Sequence, residues 1–234
     1  ESVVKHYFKL KENQEEEKKE IDKILRKLTA ELAEFQPQLS DYQTYIFDLD
    51  LIRAKAKFAE QIKGILPKIN RHHTLRLREA FHPLLWIRNK AENKEIFSQT
   101  ISLTEHNRIV CISGPNAGGK SITLKTVGLL QLMIQSGILV PCHPKSEMFF
   151  FEKIMTDIGD NQSIENHLST YSYRLKQMNY FLKKCNKNTL FLIDEFGTGS
   201  DPELGGALAE TFLEEFYHRE AFGIITTHYS NLKI

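Results

Sequence analysis

Apolar residues follow two different patterns along the chain, and the change near residue 71 divides it in two. From residue 1 to about 35 they recur three or four positions apart, which is typical of a helix with one apolar face. Pro37 interrupts this helix, and Ser40 is the predicted N-cap of a second helix that ends near Lys63, before Gly64. The first face contains Ile21, Ile24, Leu25, Leu28, Leu32 and Phe35. The pattern therefore predicts a helical arm over residues 1–70.

Beyond residue 71, short apolar runs alternate with helical stretches. The helices are predicted at about 119–136, 164–184 and 203–219. Alternation of this kind is typical of an α/β layer. We therefore predict an α/β domain with a mixed, largely parallel sheet over residues 71–234. The predicted strands cover 75–77, 96–103, 109–113, 148–151, 190–193 and 223–227.

A glycine-rich loop stands between a predicted strand and a predicted helix. It fits the phosphate-binding pattern G-x-x-x-x-G-K-[ST], and the strand and helix around it are the context that the motif requires. In such a loop Lys120 neutralises the β- and γ-phosphates and Ser121 ligates Mg²⁺. The alternative, an ordinary glycine-rich turn, fits the flanking elements less well. The loop consists of Gly114, Pro115, Asn116, Ala117, Gly118, Gly119, Lys120 and Ser121.

Two adjacent carboxylates, Asp194 and Glu195, end the apolar strand predicted at 190–193. Ligands of open α/β sheets bind beyond the carboxyl ends of the strands, so both acids are expected to face the glycine loop. Asp194 then holds Mg²⁺, while Glu195 orients and deprotonates the attacking water. A solvated turn with two acids is the alternative. An acidic pair of this kind is typical of the ABC-like hydrolases.

Three further segments extend this pattern. Residues 197–202 follow the acidic pair where such hydrolases have a D-loop, and His228 follows the next strand, where a histidine can contact the γ-phosphate. Ser169 and Thr170 directly precede a helical pattern. A serine there can contact a phosphate, and it can equally serve as an ordinary N-cap.

Composition narrows the function further. Of 234 residues, 41% are apolar and 26% are charged, and the net charge of +1 excludes a chain that binds polyanions over its whole surface. No apolar run is long enough to cross a membrane and no signal peptide precedes the chain, so we expect a cytoplasmic protein that does not bind membranes. One basic segment, residues 53–78, is either a nucleic-acid patch or a solvated helix face with a linker; its basic residues are Arg53, Lys55, Lys57, Lys63, Lys68, Arg71, Arg76 and Arg78.

These motifs resemble the MutS family of DNA-repair ATPases, and most closely its second bacterial branch, the MutS-two type. The resemblance rests on the glycine loop with Ala117 and on the stretches DIGDNQSIENHLSTYS, LFLIDEFGTGSDPELGGALAE and TTHYSNLK. Residues 81–85 are similar to the RHPLL segment of that branch, although Phe81 replaces its arginine. The helices of residues 1–69 resemble the returning clamp and lever helices of the family.

The resemblance implies an ABC-like ATPase that uses ATP and Mg²⁺ and works as a head-to-tail homodimer. Ser169 and Thr170 of one subunit would then complete the site of the other, while Asn116 would contact nucleotide in its own subunit. Ile96 and Phe97 are the two candidates to stack on adenine: sequence register favours the first and side-chain chemistry the second. The implied partners are double-stranded or branched DNA and the ribosome, with recombination and stalled translation as the processes and no mismatch recognition.

Two other functions remain open at this point. A structural DNA tether with incidental ATPase activity would suit the helical arm, although Pro37 and Gly64 interrupt the arm early. A phosphotransferase would need an acceptor pocket and lid arginines, and no such arginine cluster lies near the motifs. The family's first clamp half, its C-terminal dimerisation helices and the nuclease domain of the branch have no counterpart in these residues, so we expect a C-terminally incomplete fragment of a larger protein.

Overall fold

The computed structural model describes residues 2–114, 118–159, 170–196 and 202–227. By the density of its internal contacts, the chain divides into two compact units, residues 1–54 and 55–234. None of the described helices is both long and apolar enough to cross a lipid bilayer.

The first unit consists of helix α1 (Ser2–Ala33) and the beginning of helix α2 (Gln36–Ile62). No side chain of α1 is buried, so its predicted apolar face is exposed. Pro37 lies in the first turn of α2, where its missing N–H needs no partner. The predicted N-cap at Ser40 is wrong, because α2 begins at Gln36 and Ser40 lies inside it. The assignment of residues 1–70 to one segment stays a prediction.

The second unit contains the end of α2 and an α/β layer, as the alternating pattern predicted. In chain order its further elements are β1 (Lys68–Asn70), β2 (Leu75–Ala80), α3 (Pro83–Ala91), β3 (Gln99–Leu103), β4 (Ile109–Ser113), α4 (Lys120–Gln135), β5 (Glu147–Phe149), β6 (Lys153–Asp157), α5 (Thr170–Lys184), β7 (Thr189–Ile193), α6 (Pro202–His218) and β8 (Phe222–Thr227). The elements β1, α3 and β6 were not predicted. The strand predicted at 96–103 is shorter, since β3 begins at Gln99.

Among the described residues the strands form two sheets of four. One is mixed, with the order β1-β5-β2-β3: β1 runs parallel to β5, and β2 is antiparallel to both of its neighbours. The other has the order β4-β8-β7-β6 and is parallel throughout. The predicted α/β class is therefore confirmed, whereas the single mixed sheet that was predicted is replaced by one mixed and one parallel sheet.

Two apolar clusters bury the faces of the parallel sheet. One contains the buried face of α4, with Leu124 and Leu130, together with Leu192 of β7. The other contains Phe191 of β7, whose ring stacks on Phe216 of α6 with centroids 4.4 Å apart. Alternate residues of one strand thus enter opposite clusters, as the period of a strand buried on both faces requires.

Helix α4 approaches the parallel sheet closely at Gly128. A Cβ atom added to this glycine would lie 2.7 Å from Cδ1 of Leu192, closer than packed carbon atoms come. The buried glycine therefore lets the helix backbone rest directly on the side chains of β7.

Candidate active site

The parallel register brings sequence-distant motifs to one edge of the sheet. Ser113 at the end of β4 pairs with Thr227 at the end of β8, and Ile193 at the end of β7 pairs with Asp157 at the end of β6. Because parallel strands end at the same edge, the segments that follow them lie side by side. The glycine loop follows β4 and the acidic pair follows β7, so the structure brings these two predicted motifs to the same edge.

The lysine of the glycine loop contacts the first glycine of that loop. Gly119 has a φ of 78° and caps the amino end of α4 in the left-handed conformation, which a side chain would strain. Lys120, the first residue of α4, is only 5% exposed, and its Nζ donates a hydrogen bond to the carbonyl oxygen of Gly114. A buried ammonium thus lies beside the positive end of a helix, which is an arrangement that attracts anions.

A single threonine holds the acidic pair in place. The hydroxyl of Thr226, on β8, donates to Oδ1 of Asp194 at 2.5 Å and accepts from the backbone N–H of Glu195 at 2.8 Å. Thr226 is fully buried, while both acids are half-buried. Its carbonyl oxygen also accepts from the N–H of Phe196 at 2.8 Å. Sequence reasoning missed this role, because it treated Thr226 only as a residue preceding His228.

Two charged residues that the sequence did not indicate complete this edge. Arg174 of α5 donates from Nη1 to the carbonyl oxygen of Glu195 at 2.9 Å. The backbone N–H of Asp194 donates to the carbonyl oxygen of Asp157 at 2.8 Å. Burial raises the pKa of the Asp157 carboxyl, the Arg174 guanidinium opposes that rise, and the Asp194 carboxylate adds to it. These four residues all line one small cavity of about 30 Å³.

A larger cavity of about 520 Å³ adjoins the glycine loop at Gly118 and Gly119. Its volume is within the range of small-ligand pockets. Ile96, half-buried, and Phe97, 73% exposed, both line it, so both adenine-stacking candidates lie beside the loop. Four lining side chains each have one buried polar atom without a hydrogen-bond partner among the described residues: His82 Nδ1, Trp86 Nε1, Asn89 Oδ1 and Gln99 Oε1. The pocket thus combines apolar side chains with polar groups that a base could engage.

The surroundings of His82 favour its neutral form. Burial lowers the pKa of the imidazole, and the nearby positive charge of Lys125 lowers it further. A neutral imidazole has one donor and one acceptor nitrogen, and Nδ1 is the buried one without a hydrogen-bond partner among the described residues.

Some predicted residues lie outside the described part of the chain. These are Pro115, Asn116 and Ala117 of the loop, the stretch 197–201, Ser169 and His228. For Thr170 only the backbone is described, as the first residue of α5. Their roles stay predictions.

The donor chemistry of the site fits Mg²⁺. Ser121, half-buried in the first turn of α4, and Asp194 supply the hard oxygen ligands that this ion takes. Within the described ranges no three His, Cys, Asp or Glu side chains form a cluster able to hold a metal.

The basic segment of residues 53–78 is partly engaged within the protein. The ammonium of Lys55 donates to the carbonyl oxygen of Ser136 at 2.8 Å, and Lys68 pairs with Glu147 at 3.3 Å. Arg71 and Arg78 are exposed. The contacts of Lys55 and Lys68 weaken the nucleic-acid interpretation for those two residues and leave it open for the exposed arginines.

Comparison with known proteins decides the family. The family model described as MutS domain V matches residues 110–234, which contain the glycine loop, the acidic pair and Thr226. The chain belongs to the MutS family. The resemblance that the motifs indicated is therefore confirmed.

Relatives within the MutS family place the chain in the MutS2 branch. It is 44% identical over 224 residues to a protein named Endonuclease MutS2 from Shouchella clausii, covering 96% of this chain and 28% of that relative. It is 42% identical over 233 residues to the protein of that name from Pediococcus pentosaceus, covering 100% and 29% respectively. The chain thus spans less than a third of the length of these relatives and carries a MutS domain V.

The contacts of Thr226 lead to a first prediction. Thr226→Val keeps the shape of the side chain and removes the hydroxyl that joins Asp194 to Glu195. We expect a loss of about 1–3 kcal/mol in the free energy of unfolding, since a buried hydrogen-bonded network loses its centre. We also expect ATP hydrolysis to slow by roughly tenfold or more, because the carboxylates lose their alignment. Urea unfolding and steady-state ATPase assays measure the two effects.

Thr226→Ser is the matched control, because it keeps the hydroxyl and removes only a methyl group. It should retain most of the ATPase rate. Equal rates for the valine variant and the wild type would show that the threonine does not align the acidic pair.

Proposed function

We propose that residues 71–234 form a P-loop, ABC-like domain that hydrolyses ATP, and that the helices of residues 1–70 act as its lever. The observation that carries this proposal is the meeting of two motifs at one sheet edge: a glycine loop whose first carbonyl, that of Gly114, binds buried Lys120, and an acidic pair held by Thr226. Both lie within the segment that matches MutS domain V.

Each group at this edge has a defined part in the reaction. Lys120 and the amino end of α4 bind the β- and γ-phosphates. Ser121 and Asp194 hold Mg²⁺, which neutralises phosphate charge when bound. Glu195 accepts a proton from a water molecule as the water oxygen attacks the γ-phosphorus. The bond between the γ-phosphorus and the β,γ-bridging oxygen breaks, and ADP and phosphate leave. His228, which follows β8 in the sequence, would contact the γ-phosphate.

The 520 Å³ cavity beside the loop is the proposed base site. Exposed Phe97 offers a flat apolar ring, and Ile96 lies beside it in the same lining. Burial of a purine against these side chains would cover apolar surface that is otherwise in contact with water.

Two substitutions separate nucleotide binding from hydrolysis. Lys120→Ala removes the ammonium and should weaken ATP·Mg²⁺ binding by about 1.5–3 kcal/mol. Glu195→Gln keeps the shape of the side chain but not its basicity, so ATP should bind normally and turn over at least ~100-fold more slowly. Titration with a fluorescent ATP analogue and single-turnover hydrolysis measure the two steps.

Lys176→Met is a matched control for the lysine, because Lys176 is an exposed lysine on α5. It should leave both measurements unchanged. Normal hydrolysis by the Glu195→Gln variant would show that Glu195 does not take part in the reaction. Unchanged affinity of the Lys120→Ala variant for ATP would show that the glycine loop does not bind the nucleotide.

We further propose that two such domains face each other head to tail, with Ser169 and Thr170 of one subunit contacting the γ-phosphate bound by the other. Thr170 is the first residue of α5, and Ser169 precedes it in the sequence; the dipole at the amino end of a helix favours a phosphate. ATP would then hold the two domains together, and hydrolysis would release them.

Mixing two inactive variants of the full-length protein tests this arrangement. Lys120→Ala and Ser169→Arg homodimers should each be nearly inactive. If Ser169 acts across the interface, the mixed dimer has one site with both defects and one intact site, so ATPase activity partly returns. Differently tagged subunits allow the mixed dimer to be purified before it is assayed. Absence of recovery in purified mixed dimers would place Ser169 in its own subunit.

The substrate that this ATPase serves is proposed to be double-stranded or branched DNA, with the ribosome as a further partner. The proposal rests on membership of the MutS family and on the exposed basic residues between 53 and 78. The relatives bear the name endonuclease, and we assign no nuclease chemistry to these residues. A DNA-tethering role with incidental turnover is the alternative, and it predicts that Glu195→Gln leaves DNA release unchanged.

Salt dependence tests whether the basic segment touches DNA. In the full-length protein, the double variant Arg71→Glu, Arg78→Glu should bind a four-way junction more weakly. The slope of log affinity against log salt should fall by about 0.9 for each DNA phosphate that the variant no longer neutralises. Lys183→Glu, Lys184→Glu makes the same charge change at the exposed end of α5 and is the matched control. An unchanged slope in the arginine variant would make the segment a solvated face.

A further inference from the structure

The side chain of Arg174, on helix α5, reaches the acidic pair. The helix begins at Thr170, and Arg174 lies one turn further along it. From there Nη1 donates to the carbonyl oxygen of Glu195 at 2.9 Å. The helix that begins at Thr170 is therefore bonded directly to the backbone of the proposed water-activating residue.

The backbone of Glu195 has an uncommon conformation. Its φ is 51°, in the left-handed region that residues with a side chain rarely adopt. Such a conformation persists only where its surroundings hold it. Here the N–H of Glu195 is bound by the Thr226 hydroxyl at 2.8 Å, and its carbonyl oxygen is bound by Arg174. The N–H of Glu195 is thus held by β8, and its carbonyl oxygen is held by α5.

The guanidinium of Arg174 also balances the charges around it. It lines the 30 Å³ cavity together with Asp157, Asp194 and Glu195, and it opposes the rise in the pKa of Asp157. An arginine bound to a carbonyl oxygen and placed among carboxylates keeps a fixed direction, because its planar donors match more than one acceptor. A lysine at this position could not supply the same fork.

We infer that Arg174 is a positioning residue for ATP hydrolysis: it fixes the backbone of Glu195, and so the direction of its carboxylate, to the position of α5. This inference rests on the proposed role of Glu195. As a consequence, a phosphate that binds at the amino end of α5 and shifts this helix would change the alignment of Glu195 in the same subunit. The phosphate would do so without contacting the nucleotide bound by that subunit. ATP binding would then depend on the subunit's own glycine loop, and ATP hydrolysis also on what binds at the amino end of α5.

The test compares Arg174→Met, Arg174→Lys and the control Lys176→Met in the full-length protein. Arg174→Met should slow single-turnover hydrolysis by roughly tenfold or more, since misplacement of a catalytic group has effects of this size, while ATP affinity stays within about twofold. Arg174→Lys restores a donor and should recover part of the rate. The Lys176→Met variant removes an exposed charge from the same helix and should behave as wild type.

A double-mutant comparison separates positioning from general loss of structure. If Arg174 acts through the Glu195 carboxylate, adding Arg174→Met to Glu195→Gln should slow hydrolysis no further. Thermal unfolding of each variant identifies loss of structure. If Arg174→Met is unfolded, Arg174→Lys is combined with Glu195→Gln in its place.

The possible results distinguish this inference from the function on which it depends. Slow hydrolysis by Glu195→Gln with a normal rate for folded Arg174→Met would overturn the inference alone. The inference would also be overturned if the rate of the double variant were reduced by the product of the two single-variant factors, because Arg174 would then act independently of the Glu195 carboxylate. Normal hydrolysis by Glu195→Gln would overturn the role of Glu195 and the inference with it.

Discussion

The candidate site depends on the parallel register of the sheet β4-β8-β7-β6. Pairing of Ser113 with Thr227 and of Ile193 with Asp157 fixes where each strand ends, and so which segments meet. A shift of β8 by one residue would turn the Thr226 side chain to the other face of the sheet. The hydroxyl would then reach neither Asp194 nor the backbone of Glu195. The alignment of Asp194 and Glu195 therefore depends on the pairing of β8 with β7 more than on the two acidic residues themselves.

The parts of the site that the sequence predicted are those carried by short, contiguous patterns. The glycine loop needs only the spacing from Gly114 to Ser121, and the acidic pair needs only an apolar strand ending in Asp194 and Glu195. The α/β class followed in the same way, from the alternation of short apolar runs with helical periods. Each of these features is determined by residues close together in the sequence, so it could be predicted without knowing which distant residues they contact in the fold.

Thr226, Asp157 and Arg174 could not be predicted in this way. Their roles depend on β8 lying between β4 and β7, an order that differs from the order along the chain. A threonine ending a strand, an acid ending another and an arginine within a helix are all ordinary features until that order is known. The pocket side chains on α3 were missed for a similar reason: the helix is short, and its composition carries no strong helical period. The misplaced start of α2 reflects a competition between Pro37 in a first turn and Ser40 as a cap.

The glycine at position 128 has a consequence for motion. Where it lies on Leu192, helix backbone and strand side chains are in contact with no intervening layer that could yield. Close-packed interiors of this kind have low compressibility and shift as a whole. Movement of the helix that begins with Lys120 towards or away from the strand that ends before Asp194 would therefore have to compress or open this contact.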